Sequence, residues 1–302
     1  MSVTTEADQW FKGFSSLDAC AGGVQFSGVT GGSGPPVLLL HGYPQTHVTW
    51  RHIAPVLTQS FTVVVPDLPG YGSSKMQETH PRWTKRRVAK ALVDLMTSLG
   101  HERFAVVGHD RGARAGYRLA LDDPERVAAY ASLTVVPTID ALAAVDKDFA
   151  LKAWHWFFLA QPADLPERLL AADPDAFIEA ALAKMAGGLE RIDARALEAY
   201  RLAFRDPAVR HAMCEDYRAA VNEDSGHDAS DRAAGRRLDC PVMVLWSEEE
   251  RKAQRITPIE IWSRWATDVT GRAIRGGHLQ PEESPHEVLA DVVPFLIRAF
   301  SA

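Results

Sequence analysis

Four short apolar runs constrain this chain more than any other feature. They are Val37-Leu38-Leu39-Leu40, Phe61-Thr62-Val63-Val64-Val65, Phe104-Ala105-Val106-Val107 and Val242-Met243-Val244-Leu245-Trp246. Each is short, and they are continuously apolar rather than alternating. Runs of this kind suit strands buried on both faces, as in a parallel sheet covered by helices on both sides. Between them, Lys85 to Leu99 reads as a helix with Val88, Leu92, Leu95, Met96 and Leu99 on one stripe, and Gly100 stops it. After the fourth run come a helix around Pro258 to Ala266, a short strand near Ala273-Ile274 and a last helix from Ser284 to about Phe300. From about 140 to 235 the texture changes to Ala, Leu, Glu and Arg, punctuated by Pro162, Pro166, Pro174 and Pro207. That zone reads as several helices, with the polar stretch Glu223 to Gly235 as a return linker. The expected architecture is α/β. A mostly parallel sheet is built from a first core part, residues 1–140, and a second, residues 236–302, with a helical cap, 141–235, inserted between them.

Composition narrows the function classes. The 302 residues carry a formal net charge of -6, against a chain built mainly to bind nucleic acid. No apolar run is long enough to predict a membrane span. The start, Met1 to Phe11, lacks the basic and apolar segments of a secretory signal. Three scattered cysteines, Cys20, Cys214 and Cys240, give no disulfide framework, so a reducing, cytoplasmic setting is expected. The eleven histidines show no metal-ligand spacing, and Gly28 to Gly34 lacks dinucleotide-binding spacing and reads as a loop. No metal or cofactor is therefore expected. The basic run Lys85-Arg86-Arg87 with Lys90 reads as a solvated helix face.

The most informative segment is Gly108-His109-Asp110-Arg111-Gly112. It follows the third apolar run and precedes a helical pattern from Ala113 to Leu121. G-x-S-x-G at such a strand-to-helix turn is the nucleophile elbow of α/β-hydrolases. Here Asp110 takes the place of Ser. A carboxylate with an ordinary pKa of about 3.9 is ionised near neutrality and needs no base to activate it. It can displace a leaving group from an alkyl carbon and leave an ester on Asp110. The bland alternative is an Asp that caps the following helix.

Two further features converge on the elbow. His41-Gly42-Tyr43-Pro44 follows the first run, and the backbone amides of Tyr43 and Arg111 are candidates for an oxyanion hole. Its alternative is a plain turn. His278, in Gly276-Gly277-His278, comes late in the chain, where such folds place the base that activates water. Otherwise it is a surface loop histidine.

Taken together, the chain resembles the haloacetate dehalogenases, fluoroacetate dehalogenases in particular, within the α/β-hydrolase superfamily. The matching segments are His41 to Pro44, Asp67-Leu68-Pro69-Gly70-Tyr71-Gly72-Ser73-Ser74, Gly108 to Arg114, Asp122 to Val127, Trp154-His155-Trp156, Cys214-Glu215-Asp216-Tyr217-Arg218, Gly277-His278 and Pro281 to Pro285. The resemblance implies an Asp110 nucleophile, Arg111 and Arg114 holding a substrate carboxylate, and a halide pocket of His155, Trp156 and Tyr217. Planar guanidinium forks suit carboxylates, and ring N–H and phenol O–H groups can donate to a departing halide. Without the resemblance, Trp154, Trp156 and Phe157 read as the apolar face of a lid helix. The implied reaction is hydrolytic dehalogenation of short 2-haloacids such as fluoroacetate or chloroacetate to glycolate. It needs only a small halocarboxylate partner, and the family is often dimeric.

The chain departs from the family at one position. The Asp that orients the catalytic histidine is replaced by Thr134. Glu250, in Leu245-Trp246-Ser247-Glu248-Glu249-Glu250, falls where many α/β-hydrolases carry that acid, and is the candidate replacement; the alternative is a solvated acidic loop. Two rival functions remain open: an epoxide hydrolase, with Tyr217 and Tyr200 as donors to the epoxide oxygen, or an impaired hydrolase fold that binds a carboxylate.

Overall fold

The computed structural model describes residues 10–249 and 256–301, and in it the apolar runs become the middle of one sheet. Its strands are β1 (Ser15–Ala21), β2 (Val24–Gly31), β3 (Pro36–Leu40), β4 (Thr62–Pro66), β5 (Lys75–Met76), β6 (Phe104–His109), β7 (Val127–Leu133), β8 (Val242–Ser247) and β9 (Val269–Ile274). The spatial order is β1-β2-β4-β3-β6-β7-β8-β9, with β5 on β2. From β4 through β9 every pairing is parallel, while β2 pairs antiparallel with β1, β4 and β5. Leu38, Leu40, Val64 and Val106 enter one apolar layer, and Val37, Leu39, Val63, Val65 and Val107 the other. Burial on both faces is why these runs show no alternation.

The expected core helices are present with small shifts. The Lys85–Ser98 helix is capped by the Thr84 hydroxyl and buries Val88, Leu92, Leu95 and Met96. The others span Arg111–Asp122, Pro258–Trp262 and Pro285–Ser301. The strand expected near Ala273 starts earlier, at Val269.

Three expectations need correction. Gly28 to Gly31 is not loop but the end of β2: Gly28 passes so close to the Val65 carbonyl that no side chain fits there. The stretch from Glu223 to Gly235 is not a linker, because Ser225–Ala233 is a helix. Its buried face is charged: Asp228 and Asp231 pair with Arg118, so the polar composition hides a packed element. The basic run is not uniformly solvated either. Arg86 and Lys90 are exposed, but Lys85 is 3% exposed.

Between β7 and β8 lie eight α-helices, from Thr138–Ala143 to Ser225–Ala233. Three of the four prolines that break the sequence pattern, Pro166, Pro174 and Pro207, lie at the start of helices. Pro174 and Pro207 stand first in their helices, behind Asp173 and Asp206, whose side chains cap them. No helix among the described residues is long and apolar enough to cross a membrane.

The topology locates the site. From β3 the chain goes to β4 on one side, then returns to β6 on the other, with Leu40 opposite Gly108. The loops leaving β3 and β6 therefore meet at a topological switch point, where open α/β sheets form their crevice.

Candidate active site

At the end of β6, Asp110 has φ +48° and ψ −113°, and the Arg111–Asp122 helix starts at the next residue. The turn works because its neighbours lack side chains. A Cβ on Gly108 would lie 2.5 Å from Ala113 Cα, and one on Gly112 would strike the Leu40 and His41 carbonyls. Asp110 does not cap the helix with its side chain. Its Oδ1 accepts from the Tyr43 amide at 2.9 Å, and its Oδ2 lies 3.5 Å from His278 Nε2. Burial alone would raise this carboxyl; the hydrogen bond to and charge of His278, with His109 and Arg111, hold it far below the usual range instead. Asp110 is therefore an anion over the whole physiological range.

His278 comes from the loop after β9, and two residues to which the sequence motifs assign no role fix that loop. Glu283 accepts from the amides on either side of the histidine, Gly277 and Leu279, each at 2.8 Å. His109, wholly buried beside the nucleophile, donates from Nε2 to the His278 carbonyl at 2.8 Å. Burial, reinforced by His278, lowers His109 to about 4, so it is neutral. Across the loop, the His278 amide donates to Met185 O in the inserted helices at 3.2 Å.

Arg111 and Arg114 are both buried beside Asp110. Arg111 gives Nε and Nη2 to the Asp216 carboxylate at 2.8 and 2.6 Å, and Nη2 also to the Asp216 carbonyl. Its Nη1 is buried without a hydrogen-bond partner. Arg114 gives Nη1 to Val136 O and Thr138 Oγ1, each at 3.0 Å, and its Nε is buried without a partner. Two guanidinium nitrogens without hydrogen-bond partners thus stand on the helix that begins beside the anionic Asp110.

The insertion supplies an aromatic cluster over the elbow. His155 stacks on Tyr43 at 5.5 Å between centroids, and Tyr217 meets Tyr43, His155 and Trp156 edge-on at 5.3, 5.7 and 6.0 Å. Arg111 lies over the Tyr217 ring and Arg114 over the Trp156 ring. The structure therefore brings together all three residues of the expected halide pocket. Burial lowers His155 to about 4 and pushes the Tyr217 phenol up, so near neutral pH both are uncharged.

The two candidates for orienting His278 fare differently. Thr134 stands at the end of β7 with φ +72°, and its hydroxyl is buried without a hydrogen-bond partner. Glu250 lies outside the described residues. Tyr200, the second phenol of the epoxide reading, donates its OH to Glu282, a carboxylate also paired with Arg51 at 2.5 Å and hydrogen-bonded by Gln45 at 3.1 Å.

Residues 35–285 match the family described as alpha/beta hydrolase fold. A fluoroacetate dehalogenase of Burkholderia sp. is 38% identical over 295 residues, covering 96% of each chain. A soluble epoxide hydrolase of Corynebacterium sp. (strain C12) is 29% identical, covering 92% of this chain and 95% of its own. Among solved structures, a Pseudomonas aeruginosa protein provisionally described as an epoxide hydrolase superposes with a TM-score of 0.94 at 52% identity, covering 97% of this chain and 98% of its own. A mutant of that protein is described with bound MFA.

Proposed function

The chain belongs to the α/β-hydrolase family, and on that footing we propose that it hydrolyses the carbon–halogen bond of short 2-haloacids, haloacetates being the simplest. The observation that carries this reading is the pair of unspent guanidinium N–H groups, on Arg111 Nη1 and Arg114 Nε, near a buried carboxylate nucleophile. A substrate with its own carboxylate satisfies both. A neutral epoxide has one acceptor oxygen and no carboxylate to match two cations, and Tyr200 is already committed to Glu282.

The reaction has two steps. With the substrate carboxylate on Arg111 and Arg114, Asp110 attacks the α-carbon in line and halide departs towards His155, Trp156 and Tyr217. These donors strengthen as charge builds on the halide, so they act on the transition state rather than on bound substrate. The carbon–halogen pair leaves with the halide, and the new carbon–oxygen bond makes an ester of Asp110. Water, losing a proton to His278, then attacks the ester carbonyl. The Tyr43 amide, already on Asp110 Oδ1, meets the charge that develops there. Collapse expels the substrate-derived oxygen, which takes the proton held by His278 and leaves as the hydroxy acid, and Asp110 returns to the carboxylate as its acid proton passes to solvent.

The test is a time course of fluoride and chloride release from fluoroacetate and chloroacetate, with glycolate and intact enzyme mass measured in the same samples. Sustained halide and glycolate support the proposal. In His278→Gln the second step stops: one halide per active site appears and the enzyme gains a carboxymethyl adduct on Asp110. Diol formation from an epoxide with no halide from either haloacetate overturns the reading in favour of an epoxide hydrolase.

A further inference from the structure

The anion that holds Arg111 is itself unusual. Asp216 is 7% exposed and accepts from four donor atoms of three side chains: Arg111 Nε and Nη2, Lys85 Nζ, and the Tyr71 hydroxyl at 2.9 Å. Neutralising one buried guanidinium needs one carboxylate. The fold spends a second buried cation on the same group, although burying an ammonium is costly. Lys85 is the first residue of its helix, so its own amide is also unsatisfied within the helix, and that amide donates to Asp224 Oδ1 at 2.8 Å. Asp224 Oδ2 is buried without a partner, and burial raises this carboxyl towards its neutral form.

A local device brings both acids to Lys85. Asp216 and Asp224 are eight residues apart, which on a straight α-helix rotates one from the other by about 80°. The π-helical turn Ala220–Asp224 interrupts the run between the Pro207–Ala219 and Ser225–Ala233 helices. Its extra residue takes up about 100° of rotation, leaving the two carboxylates on nearly one face. Such turns persist at functional sites despite their poorer geometry.

We propose that Asp216 is a positioning residue for anionic substrate: it pins Arg111 by its Nε–Nη2 edge so that Nη1 is presented to the substrate carboxylate, while Lys85 keeps the pinned pair cationic. This rests on the reading that Arg111 receives that carboxylate. Asp216 touches no reacting atom. Its effect is therefore on binding, and the transfer of the alkyl group is left unchanged.

The experiment compares the unaltered enzyme with Asp216→Asn and Lys85→Met. Acetate affinity is read by calorimetry, and kcat and KM by halide release from chloroacetate. In Asp216→Asn, acetate affinity is expected to fall and chloroacetate KM to rise at least tenfold, with kcat within threefold. In Lys85→Met, both are expected to weaken at least threefold. A folded Asp216→Asn whose acetate affinity stays within twofold overturns the proposal, as does a fall in kcat with KM unchanged. If Asp216→Asn does not fold, Lys85→Met decides: unchanged acetate binding overturns the proposal and threefold weakening supports it. If the unaltered enzyme binds acetate but releases no halide, the dehalogenase reading falls alone and the acetate comparison still decides. If it binds no acetate, the positioning role falls.

Discussion

At Gly42 a single hydrogen separates the loop after β3 from Asp110. A Cβ built there would stand 2.5 Å from Asp110 Cβ. Gly42→Ala is therefore expected to fold but to lose about a hundredfold in halide release, since a displacement near 1 Å of a reacting group costs about that much. A rate within threefold of the original would show that the loop yields. Two buried histidines near Asp110 carry a different consequence. Burial lowers His109 and His155 to about 4, against about 6.5 unfolded. Their folded values lie below the unfolded ones, so the unfolded chain binds more protons across that window. Their full stability is present above pH 6.5, and acid removes it down to about pH 4, at about 1.4 kcal/mol per pH unit for each group. Urea denaturation at pH 7 and pH 5 measures this, and His109→Gln is expected to flatten the slope. At this scale Asp110, Tyr43 and His278 were legible because elbow, loop and late histidine are each marked by local sequence. Asp216 and Lys85 were not. A charge buried against a distant charge has the same local signature as a charge in water.

At the scale of elements, the loop carrying His278 is clamped by Glu283, four to six residues on from the amides it accepts from. Glu283→Ala frees both amides and lets the base wander. Ester hydrolysis is expected to slow about tenfold with alkylation unaffected, so the first turnover keeps its rate while adduct accumulates in steady state. Quenched-flow mass spectrometry follows both, and an equal slowing of alkylation would contradict the assignment. The same scale shows where pattern reading stopped. The parallel strands were legible because burial on both faces leaves continuous apolar runs. The edge hairpin β1–β2 was not, since Ser15, Ser16, Asp18 and Cys20 face solvent. The Ser225–Ala233 helix was hidden because salt bridges stand where apolar side chains would have marked its buried face.

Across the whole molecule, Arg118 ties the inserted helices back to the sheet. It pairs with Asp228 at 2.7 Å and with Asp231, and all three side chains are buried. Arg118→Met leaves Asp228 with only neutral donors, Tyr117 OH and the Ile139 amide, while Asp231 keeps Arg236, and is expected to cost about 3 kcal/mol, read as a lower denaturation midpoint. A loss under 1 kcal/mol would mean that other contacts carry the join. The site is divided along that same join. Asp110, Tyr43, Arg111, Arg114 and His278 hang from the sheet, while His155, Trp156, Tyr217 and Asp216 belong to the chain between β7 and β8. The two outer stretches of the gene thus carry Asp110 and His278, and the stretch between them carries His155, Trp156 and Tyr217. On the proposed reaction, selection for a new leaving group can act on the middle stretch alone. Recombination at two points would then exchange the residues proposed to face the halogen while Asp110 and His278 stay in place.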